Sequence, residues 1–245
     1  MHKGKYVYCF IQGRFTEEVS IKGMGNYGDV YFISYEGITA AVSDTPLTVY
    51  DPSRKNAVMH ANIIHELMKH CNLVPCNFGN VFKSREDLEA FMQETYKYIL
   101  ANLEKVKDKM EVGLRVFWKK DVFAQEVETK NIKELRDSLA KDAESNSYFT
   151  QMELGKMVEA QVDNLRELHI KSVYNPIAQH VVEAKLNEPS NPLMVFNAAF
   201  LIWKSKEEEF DTVVGKYIEK YSDKFDFSYS GPWPPYNFTD IVPET

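Results

Sequence analysis

The stretch that decides the fold is Tyr6-Val7-Tyr8-Cys9-Phe10-Ile11, an unbroken run of residues that favour β structure. Such a run predicts a strand that is buried on at least one face. Residues 29–35 and 38–42 predict a hairpin, because a Glu-Gly turn separates two further β-forming segments. Ser53 then stands where the N-cap of a helix is expected, and residues 73–78 form another short apolar run. The order strand, hairpin, helix, strand predicts a small α+β domain with a helix packed on a sheet.

The second half of the chain repeats this mixed pattern as strand, helical stretch, strand, helix and final strand. These segments are residues 112–118, 122–188, 193–203, 206–221 and 225–229. Asn131 followed by Glu134 resembles a capping box, which predicts a new helix start there. Pro176 predicts a kink or a restart, since a proline inside a helix costs about 3 kcal/mol or more. We therefore predict an N-terminal domain over residues 1–83, a connecting helix over 84–110 and a C-terminal domain over 111–245.

Composition limits the classes of partner and location. The chain has 245 residues, of which 44% are hydrophobic and 27% charged, as is typical of a soluble globular protein. Its formal net charge of −7 argues against nucleic acid or an anionic membrane surface as the main partner. The most apolar segment, residues 193–203, is shorter than the roughly 20 residues that a membrane span requires. Residues 1–5 do not resemble a signal peptide, and three cysteines without zinc-binding spacing indicate reduced thiols. Together these features predict a cytoplasmic protein with no membrane span.

One glycine-rich stretch, Gly23-Met24-Gly25-Asn26-Tyr27-Gly28, matches the dinucleotide-binding pattern G-x-G-x-x-G. That pattern binds pyrophosphate when a strand precedes it and a helix begins at its end. Here polar residues come before it and a predicted strand follows. The stretch therefore predicts a turn-rich loop and not a nucleotide site.

Three histidines, His60, His65 and His70, lie at five-residue spacing on one predicted helix. At about 100° per residue they fan around the helix, so they do not converge on one metal ion. We interpret them as structural histidines that are exposed or half-buried, and we predict neither a metal nor a cofactor. No P-loop, G-x-S-x-G pattern or other nucleophile motif is present in the sequence, which argues against an enzyme.

The segment that we call the tail, residues 231–238, reads Gly-Pro-Trp-Pro-Pro-Tyr-Asn-Phe and follows a predicted last strand. Three prolines fix φ and remove backbone donors, so the tail is predicted to be stiff and extended, neither helix nor central strand. The candidate site residues are Gly231, Pro232, Trp233, Pro234, Pro235, Tyr236 and Phe238. We interpret them mainly as a structural clasp, with Trp233 packed on the second domain. A partner contact is the alternative, because Pro232 and Pro235 also satisfy the P-x-x-P ligand pattern.

The tail resembles the C-terminal signature of the gas vesicle protein F/L family. Residues 197–201, Asn-Ala-Ala-Phe-Leu, resemble the penultimate strand of that family, and Phe210 resembles part of its next helix. In the first half, Leu73-Val74-Pro75 and Phe78-Gly79-Asn80-Val81-Phe82 resemble two further family segments, and Tyr6-Val7-Tyr8 also fits. One departure is Cys76-Asn77, where the family pattern has a basic residue. The resemblance covers both halves and most of the chain.

This resemblance implies a fold of two α+β domains, each a modified ferredoxin-like sheet with packed helices, the second with a long helical insertion. It implies a non-enzymatic accessory or minor structural protein of gas vesicle formation, cytoplasmic and associated with the vesicles. The implied partners are the hydrophobic shell protein and other gas vesicle accessory proteins. A soluble acidic protein that covers the apolar surface of unassembled shell subunits would protect them from aggregation, in a chaperone-like or nucleating role.

Two other hypotheses stay open. One is a metal- or small-molecule-dependent enzyme on a ferredoxin-like core, which uses His60, His65 or His169 with nearby carboxylates. A deep pocket lined by those histidines would favour it. The other is an adaptor whose tail is captured by a groove on a partner. In that case Trp233→Ala abolishes binding and leaves the melting temperature unchanged.

Overall fold

The computed structural model describes residues 4–17, 19–46, 49–141 and 148–241 and shows two sheets with helices. The strands are β1 Gly4–Gln12, β2 Tyr31–Tyr35, β3 Ile38–Thr45, β4 Leu73–Pro75, β5 Val81–Phe82, β6 Lys109–Trp118, β7 Glu183–Asn187, β8 Met194–Trp203 and β9 Phe225–Trp233. The helices are α1 Arg54–Met68, α2 Arg85–Glu94, α3 Tyr96–Val106, α4 Lys120–Val127, α5 Lys130–Lys141, α6 Tyr148–His169, α7 Asn175–Ala178 and α8 Glu207–Tyr221. The predicted α+β class is confirmed. Residues 1–3, part of the segment compared with a signal peptide, lie outside the described residues.

The chain divides into two compact units that are not continuous in sequence. The first unit contains the residues up to Glu111, together with Leu201–Ser205 and the residues from Pro232 onward. The second unit contains Val112–Phe200 and Lys206–Gly231. The tail from Pro232 thus belongs to the same unit as β1.

Strand β1 lies inside the first sheet, whose order is β2-β3-β1-β4. It pairs antiparallel with β3 on one side and with β4 and β5 on the other. Residues 6–11 are all buried. The predicted strand is therefore covered on both faces, because helices and loops pack against each side of the sheet.

A β-bulge at Tyr8 changes the alternation of β1. Val7 lies opposite Val42, whereas Cys9 lies opposite Ala41, so Tyr8 is the extra residue. The bulge places both Tyr8 and Cys9 in the core that includes Ile63, Ile64 and Leu67 of α1. We call this core the α1-side core.

The opposite face of the sheet packs against α2 and α3. This second core contains Val7 and Phe10 of β1 and the apolar stripe of the two helices, Leu88, Met92, Ile99, Leu103 and Val106. We call it the α2/α3-side core. Burial of these side chains supplies the main stabilisation of the unit, at about 25 cal/mol for each Å² of apolar surface.

Several sequence predictions of helix limits are tested directly. Ser53 is the N-cap of α1, and its Oγ accepts the N–H of Asn56 at 3.4 Å, as predicted. The predicted single helix over residues 84–110 is wrong: α2 and α3 meet at Thr95, whose hydroxyl donates to the Phe91 carbonyl at 2.7 Å. A hydroxyl bonded to the backbone of the preceding turn favours such a bend. Met110 lies in β6 and not in a helix.

The second sheet has the order β7-β8-β6-β9. The N–H of Trp118 in β6 donates to the Leu193 carbonyl, and that of Lys204 donates to the Asp108 carbonyl, which fixes β6 and β8 as antiparallel. Strand β7 was not predicted, because Glu183–Asn187 reads as polar helical sequence. Its pairing with β8 gives it a strand conformation that its own residues do not favour.

The helical stretch before β7 contains both predicted interruptions. The start of α5 is capped by the Thr129 hydroxyl, which accepts the N–H of Ile132 at 3.3 Å, so the predicted cap at Asn131 is displaced. A π-helical segment, Ile170–Tyr174, precedes α7, in whose first turn Pro176 lies. The restart predicted at Pro176 is thus observed, since a proline is tolerated at the first position of a helix.

Candidate functional site

The tail continues β9 before it turns. Strand β9 runs through Gly231 and Pro232 to Trp233, and it is an edge strand, where proline is tolerated. Tyr236–Phe238 then form a 3-10 turn, so the extended conformation predicted for this part is wrong. The proline carbonyls remain acceptors: the N–H of Tyr236 donates to the Pro234 carbonyl at 2.7 Å, and that of Phe238 donates to the Pro235 carbonyl at 3.1 Å.

A buried carboxylate holds the turn of the tail. Glu111 is 6% exposed, and its Oε2 accepts the backbone N–H of Asn237 at 2.9 Å. Its Oε1 accepts the side-chain Nδ2–H of the same residue at 2.6 Å. Hydrogen bonds to an ionised acceptor are stronger than neutral ones, and a buried carboxylate requires them. The pair between Glu111 and Asn237 therefore holds the turn of the tail through two hydrogen bonds.

A second polar pair follows directly. The side chain of Asn102 on α3 donates to the Asp240 carbonyl at 2.7 Å and accepts the N–H of Asp240 at 3.1 Å. The Asn102 amide therefore bonds to both the C=O and the N–H of one residue, as the backbone of a neighbouring strand would. Ile241 then packs against the α2/α3-side core. The chain just after the tail is thus fixed by the side chain of Asn102.

The aromatic anchor of the tail is Tyr236. It packs against the α1-side core, and its hydroxyl lies 3.4 Å from Nε2 of His60. Burial raises the pKa of the Tyr236 phenol, so the group stays neutral at physiological pH. Tyr236 is half-buried, whereas Phe238, Pro234 and Pro235 are buried.

His60 connects the tail to β1. Its Nδ1 lies 3.0 Å from the Tyr6 hydroxyl, and its Nε2 lies 3.0 Å from the Cys76 carbonyl. Because a carbonyl only accepts, Nε2 carries the proton and Nδ1 accepts from Tyr6. The Tyr6 hydroxyl in turn accepts the N–H of Gly79 at 3.0 Å. Burial lowers the pKa of His60, against the opposing effect of the hydrogen bond to the Cys76 carbonyl, so the ring is a neutral structural link.

Trp233 differs from the packing expected for it, because its side chain is 45% exposed. The two residues that follow it, Pro234 and Pro235, are both buried. Within the tail, Asn237 bonds to Glu111, Tyr236 packs against the α1-side core and Phe238 is buried, whereas Trp233 is 45% exposed.

The remaining histidines have separate environments. His70 Nδ1 lies 2.6 Å from a carboxylate oxygen of Glu17. Nδ1 of His65 has no hydrogen-bond partner among the described residues. His60 was expected at the surface or half-buried, but it is 3% exposed. The sequence does not indicate this burial, because the Tyr6 hydroxyl that hydrogen-bonds to the His60 ring is 54 positions away in the chain.

His169 lies in the second unit beside a carboxylate. Its Nε2 is 3.1 Å from Oε2 of Glu126, which also accepts Trp118 Nε1–H at 3.1 Å, and Lys224 Nζ donates to Oε1 at 3.0 Å. Burial raises the pKa of Glu126, but these three donors outweigh that effect and hold it below its usual value. The carboxylate is thus fully engaged, as in a structural ion-pair network. Three cavities among the described residues have no histidine in their linings. One lies beside Met59, one beside Val158 and one beside Cys76.

The cysteines are free thiols with little nucleophilic character. Cys9 and Cys76 are buried and Cys71 is half-buried. Burial raises the pKa of Cys76 to about 12 and that of Cys71 to about 11, so the reactive thiolate is scarce at neutral pH.

The glycine-rich stretch forms a loop, as predicted. Met24–Asn26 make a 3-10 turn in which Gly25 has φ 69°. The Met24 N–H donates to the Tyr8 hydroxyl at 2.7 Å, and a Cβ on Gly23 would lie 2.3 Å from Cβ of Ser43. These glycines therefore allow the loop to approach the sheet closely, and β2 follows instead of a helix.

Sequence reasoning missed the residues that hold the tail, namely Glu111 and Asn102. Glu111 had one available signal, an acidic residue between the apolar residues Met110 and Val112. Asn102 had none, because its partner is 138 positions away.

Comparison with known proteins gives a consistent result. A family model described as "Gas vesicle synthesis protein GvpL/GvpF" matches residues 4–240. The gas vesicle protein F of Nostoc sp. is 26% identical over 98% of this chain and 100% of its own length. The gas vesicle protein F1 of Halobacterium salinarum is 24% identical over 98% and 95%, respectively. The gas vesicle protein L of Haloferax mediterranei is 20% identical over 85% and 70%.

Two solved structures share the fold. The GvpF crystal structure from Anabaena sp. has a TM-score of 0.81 at 23% identity, with 98% of this chain and 99% of that chain covered. GvpF from Microcystis aeruginosa also gives 0.81, at 22% identity, with 96% and 98% covered. Among the described residues, no helix combines the length and apolar character that a membrane span requires.

Proposed function

Because the chain belongs to the gas vesicle synthesis protein GvpL/GvpF family, we propose that it binds the hydrophobic shell protein and other accessory proteins while gas vesicles form. The observation that carries this proposal is the family match, which runs through both compact units. Membership gives the chain an accessory role in gas vesicles and not an enzymatic one, so the histidine-based enzyme hypothesis is set aside. The role that we propose is chaperone-like or nucleating, in the cytoplasm and at the vesicle.

Trp233 is the contact residue that we propose for the shell protein. Its ring is 45% exposed, and it is held between prolines, so little conformational entropy is lost when a partner covers it. Tryptophan is also enriched among residues that dominate binding energy. The backbone after Trp233 is held in place, because the Asn237 N–H donates to Glu111 and the Tyr236 hydroxyl lies near His60.

The test is co-expression of the full chain with the shell protein, followed by pull-down and measurement of the soluble shell fraction. The expected result is association together with a gain in shell-protein solubility. Absence of both would refute the chaperone-like role.

A matched variant tests the assigned contact. Trp203 is the same residue type, is also 45% exposed and lies in the same unit, with Lys109 Nζ over its ring at 3.9 Å. We expect Trp233→Ala to weaken the pull-down at least tenfold, as for a hot-spot residue, and Trp203→Ala to leave it within about twofold. Equal losses in both variants would contradict the assignment to Trp233 but not the accessory role.

The proposed location has its own test. Vesicles float, so immunoblots of the floating and remaining fractions distinguish a component of the mature vesicle from a factor that acts only during assembly. Detection only in a membrane fraction would contradict the proposal.

A further inference from the structure

A cavity of about 580 Å³ in the second unit is lined by α6, by Phe123 of α4 and by the loop between β7 and β8. The helix contributes one of its faces, because Gly155, Val158 and Val162 follow one another at helical spacing. The loop contributes residues 188–192. We call this cavity the α6 groove.

The loop that lines the α6 groove is held in one shape by Arg166 of α6. Its Nε donates to the Met194 carbonyl at 3.1 Å. Its Nη2 donates to the carbonyls of Asn191 and Pro192, at 3.4 and 3.3 Å. Pro189 and Pro192 restrict the loop backbone further. The α6 groove is thus preorganised, and a preorganised site loses less conformational entropy when a ligand binds.

The lining of the α6 groove combines apolar surface with an excess of negative charge. Three carboxylates, Glu159, Asp163 and Glu188, line it together with one guanidinium, that of Arg166. Asp163 pairs with Arg166 at 3.1 Å. Glu159 and Glu188 are exposed, and neither forms an ion pair or a side-chain hydrogen bond with another described residue. The apolar side chains in the lining are Phe123, Val158, Val162, Pro189 and Pro192.

The form of the α6 groove fits a second helix. Its lining runs along α6 from Gly155 to Arg166, which is about three turns or roughly 16 Å. A helix lying beside α6 over that length presents apolar side chains every three or four residues. Gly155 has no side chain, and a Cβ placed there would meet no atom within 4 Å. A neighbouring helix can therefore approach this part of α6 closely.

We propose that the α6 groove is a docking site for a basic amphipathic helix of a partner protein. The apolar face of that helix packs on Val158, Val162 and Phe123, and its lysines or arginines lie beside Glu159 and Glu188. Charge complementarity selects this partner, since an acidic helix would place like charges beside the two carboxylates. The inference does not rest on Trp233 as the shell-protein contact, because Trp233 belongs to the first unit.

The probe is a fluorescein-labelled synthetic peptide of roughly 18 residues, or about five helical turns, made of leucine, alanine and lysine with leucine along one face. Fluorescence anisotropy with the full chain is expected to show saturable binding in the micromolar range that weakens as salt increases. A peptide of the same composition with leucines on all sides of the helix is expected to bind at least tenfold more weakly. Equal binding of the two peptides, or no binding up to about 1 mM, would overturn the proposal.

A matched pair of glycine variants tests the location. Gly155→Leu adds a side chain on the face of α6 that lines the groove. Gly215→Leu is the control, because Gly215 lies within α8, outside the lining, and a Cβ there also meets no atom within 4 Å. We expect Gly155→Leu to weaken peptide binding at least tenfold and Gly215→Leu to leave it within about twofold. Melting curves by circular dichroism show that both variants are folded, and equal effects would overturn the location.

A matched pair of charge variants tests the electrostatic part. Glu159 and Glu153 are both exposed residues of α6, but only Glu159 lines the groove. Substitution of either by lysine changes the net charge equally. We expect Glu159→Lys to weaken binding about fivefold or more and Glu153→Lys to weaken it about twofold or less. Equal losses would mean that only the overall charge attracts the peptide, which would contradict the proposal.

Sedimentation velocity of the full chain tests the other occupant. Self-association that is lost in Gly155→Leu and kept in Gly215→Leu would mean that a second copy of this chain fills the α6 groove. That result would overturn the assignment to a basic partner helix. A failure of the peptide assay and a failure of the shell-protein pull-down are distinguishable, since the two assays use different ligands and different variants.

Discussion

The clasp between Glu111 and Asn237 gives the sharpest prediction, for the substitution Glu111→Ala. The carboxylate is 6% exposed and accepts two hydrogen bonds from Asn237, at 2.9 and 2.6 Å. Each hydrogen bond to a charged acceptor contributes about 1.5–3 kcal/mol, so the two together contribute about 3–6 kcal/mol. Removal of the carboxylate also removes its own desolvation cost, which offsets part of the loss. We expect a net destabilisation of the tail of about 3 kcal/mol.

The assay is amide hydrogen exchange of the tail, because a chain of two units need not unfold in one step. A loss of about 3 kcal/mol corresponds to roughly a hundredfold faster exchange at Asn237. The control is Glu104→Ala, which removes an exposed carboxylate that accepts from Gln12 at 2.6 Å and is expected to change stability by about 0.5 kcal/mol or less. A change below about 1 kcal/mol in Glu111→Ala, or equal changes in the two variants, would refute the clasp.

Trp233→Ala should lower the free energy of unfolding by about 1 kcal/mol or less, because Trp233 is 45% exposed. Urea denaturation measures this change. A loss of about 3 kcal/mol or more would mean that the ring is buried. Burial lowers the pKa of His60, so the unfolded state binds its proton more readily, and His60 should cost stability as pH falls below its unfolded pKa of about 6.5. The unfolding free energy should therefore fall less steeply from about pH 8 to pH 5 in His60→Gln than in the unmodified chain. By NMR, the His60 ring should titrate below about pH 6.5. Equal slopes and an ordinary titration would contradict a buried, neutral His60.

Local signals in the sequence were sufficient for much of the fold. The run of β-formers at residues 6–11, the cap at Ser53 and the restart at Pro176 each depend on neighbouring residues, and each is observed. The predictions failed where a distant contact outweighs local preference. Strand β7 has helix-like residues but pairs with β8, and the bend at Thr95 depends on a hydroxyl that also occurs in straight helices.

The candidate site was harder to predict, because its residues meet across long sequence separations. The sequence predicts either a structural clasp in which Trp233 packs on the second domain or a partner contact. In the structure Trp233 is 45% exposed, whereas Tyr236 packs against the α1-side core near His60, a contact that is not visible in the sequence. Glu111 was outside the candidate set for the same reason.

The position of the tail in the chain also affects the timing of folding during synthesis. Glu111 and Asn237 are 126 positions apart, and a ribosome that adds about 5–20 residues per second needs roughly 6–25 s to cover that distance. The first unit therefore lacks its last segment, which begins at Pro232, until the entire second unit has been translated. Nascent chains halted before Pro232 would retain an unfinished first unit, whose uncovered carboxylate and apolar surface are features by which chaperones and proteases recognise incomplete products.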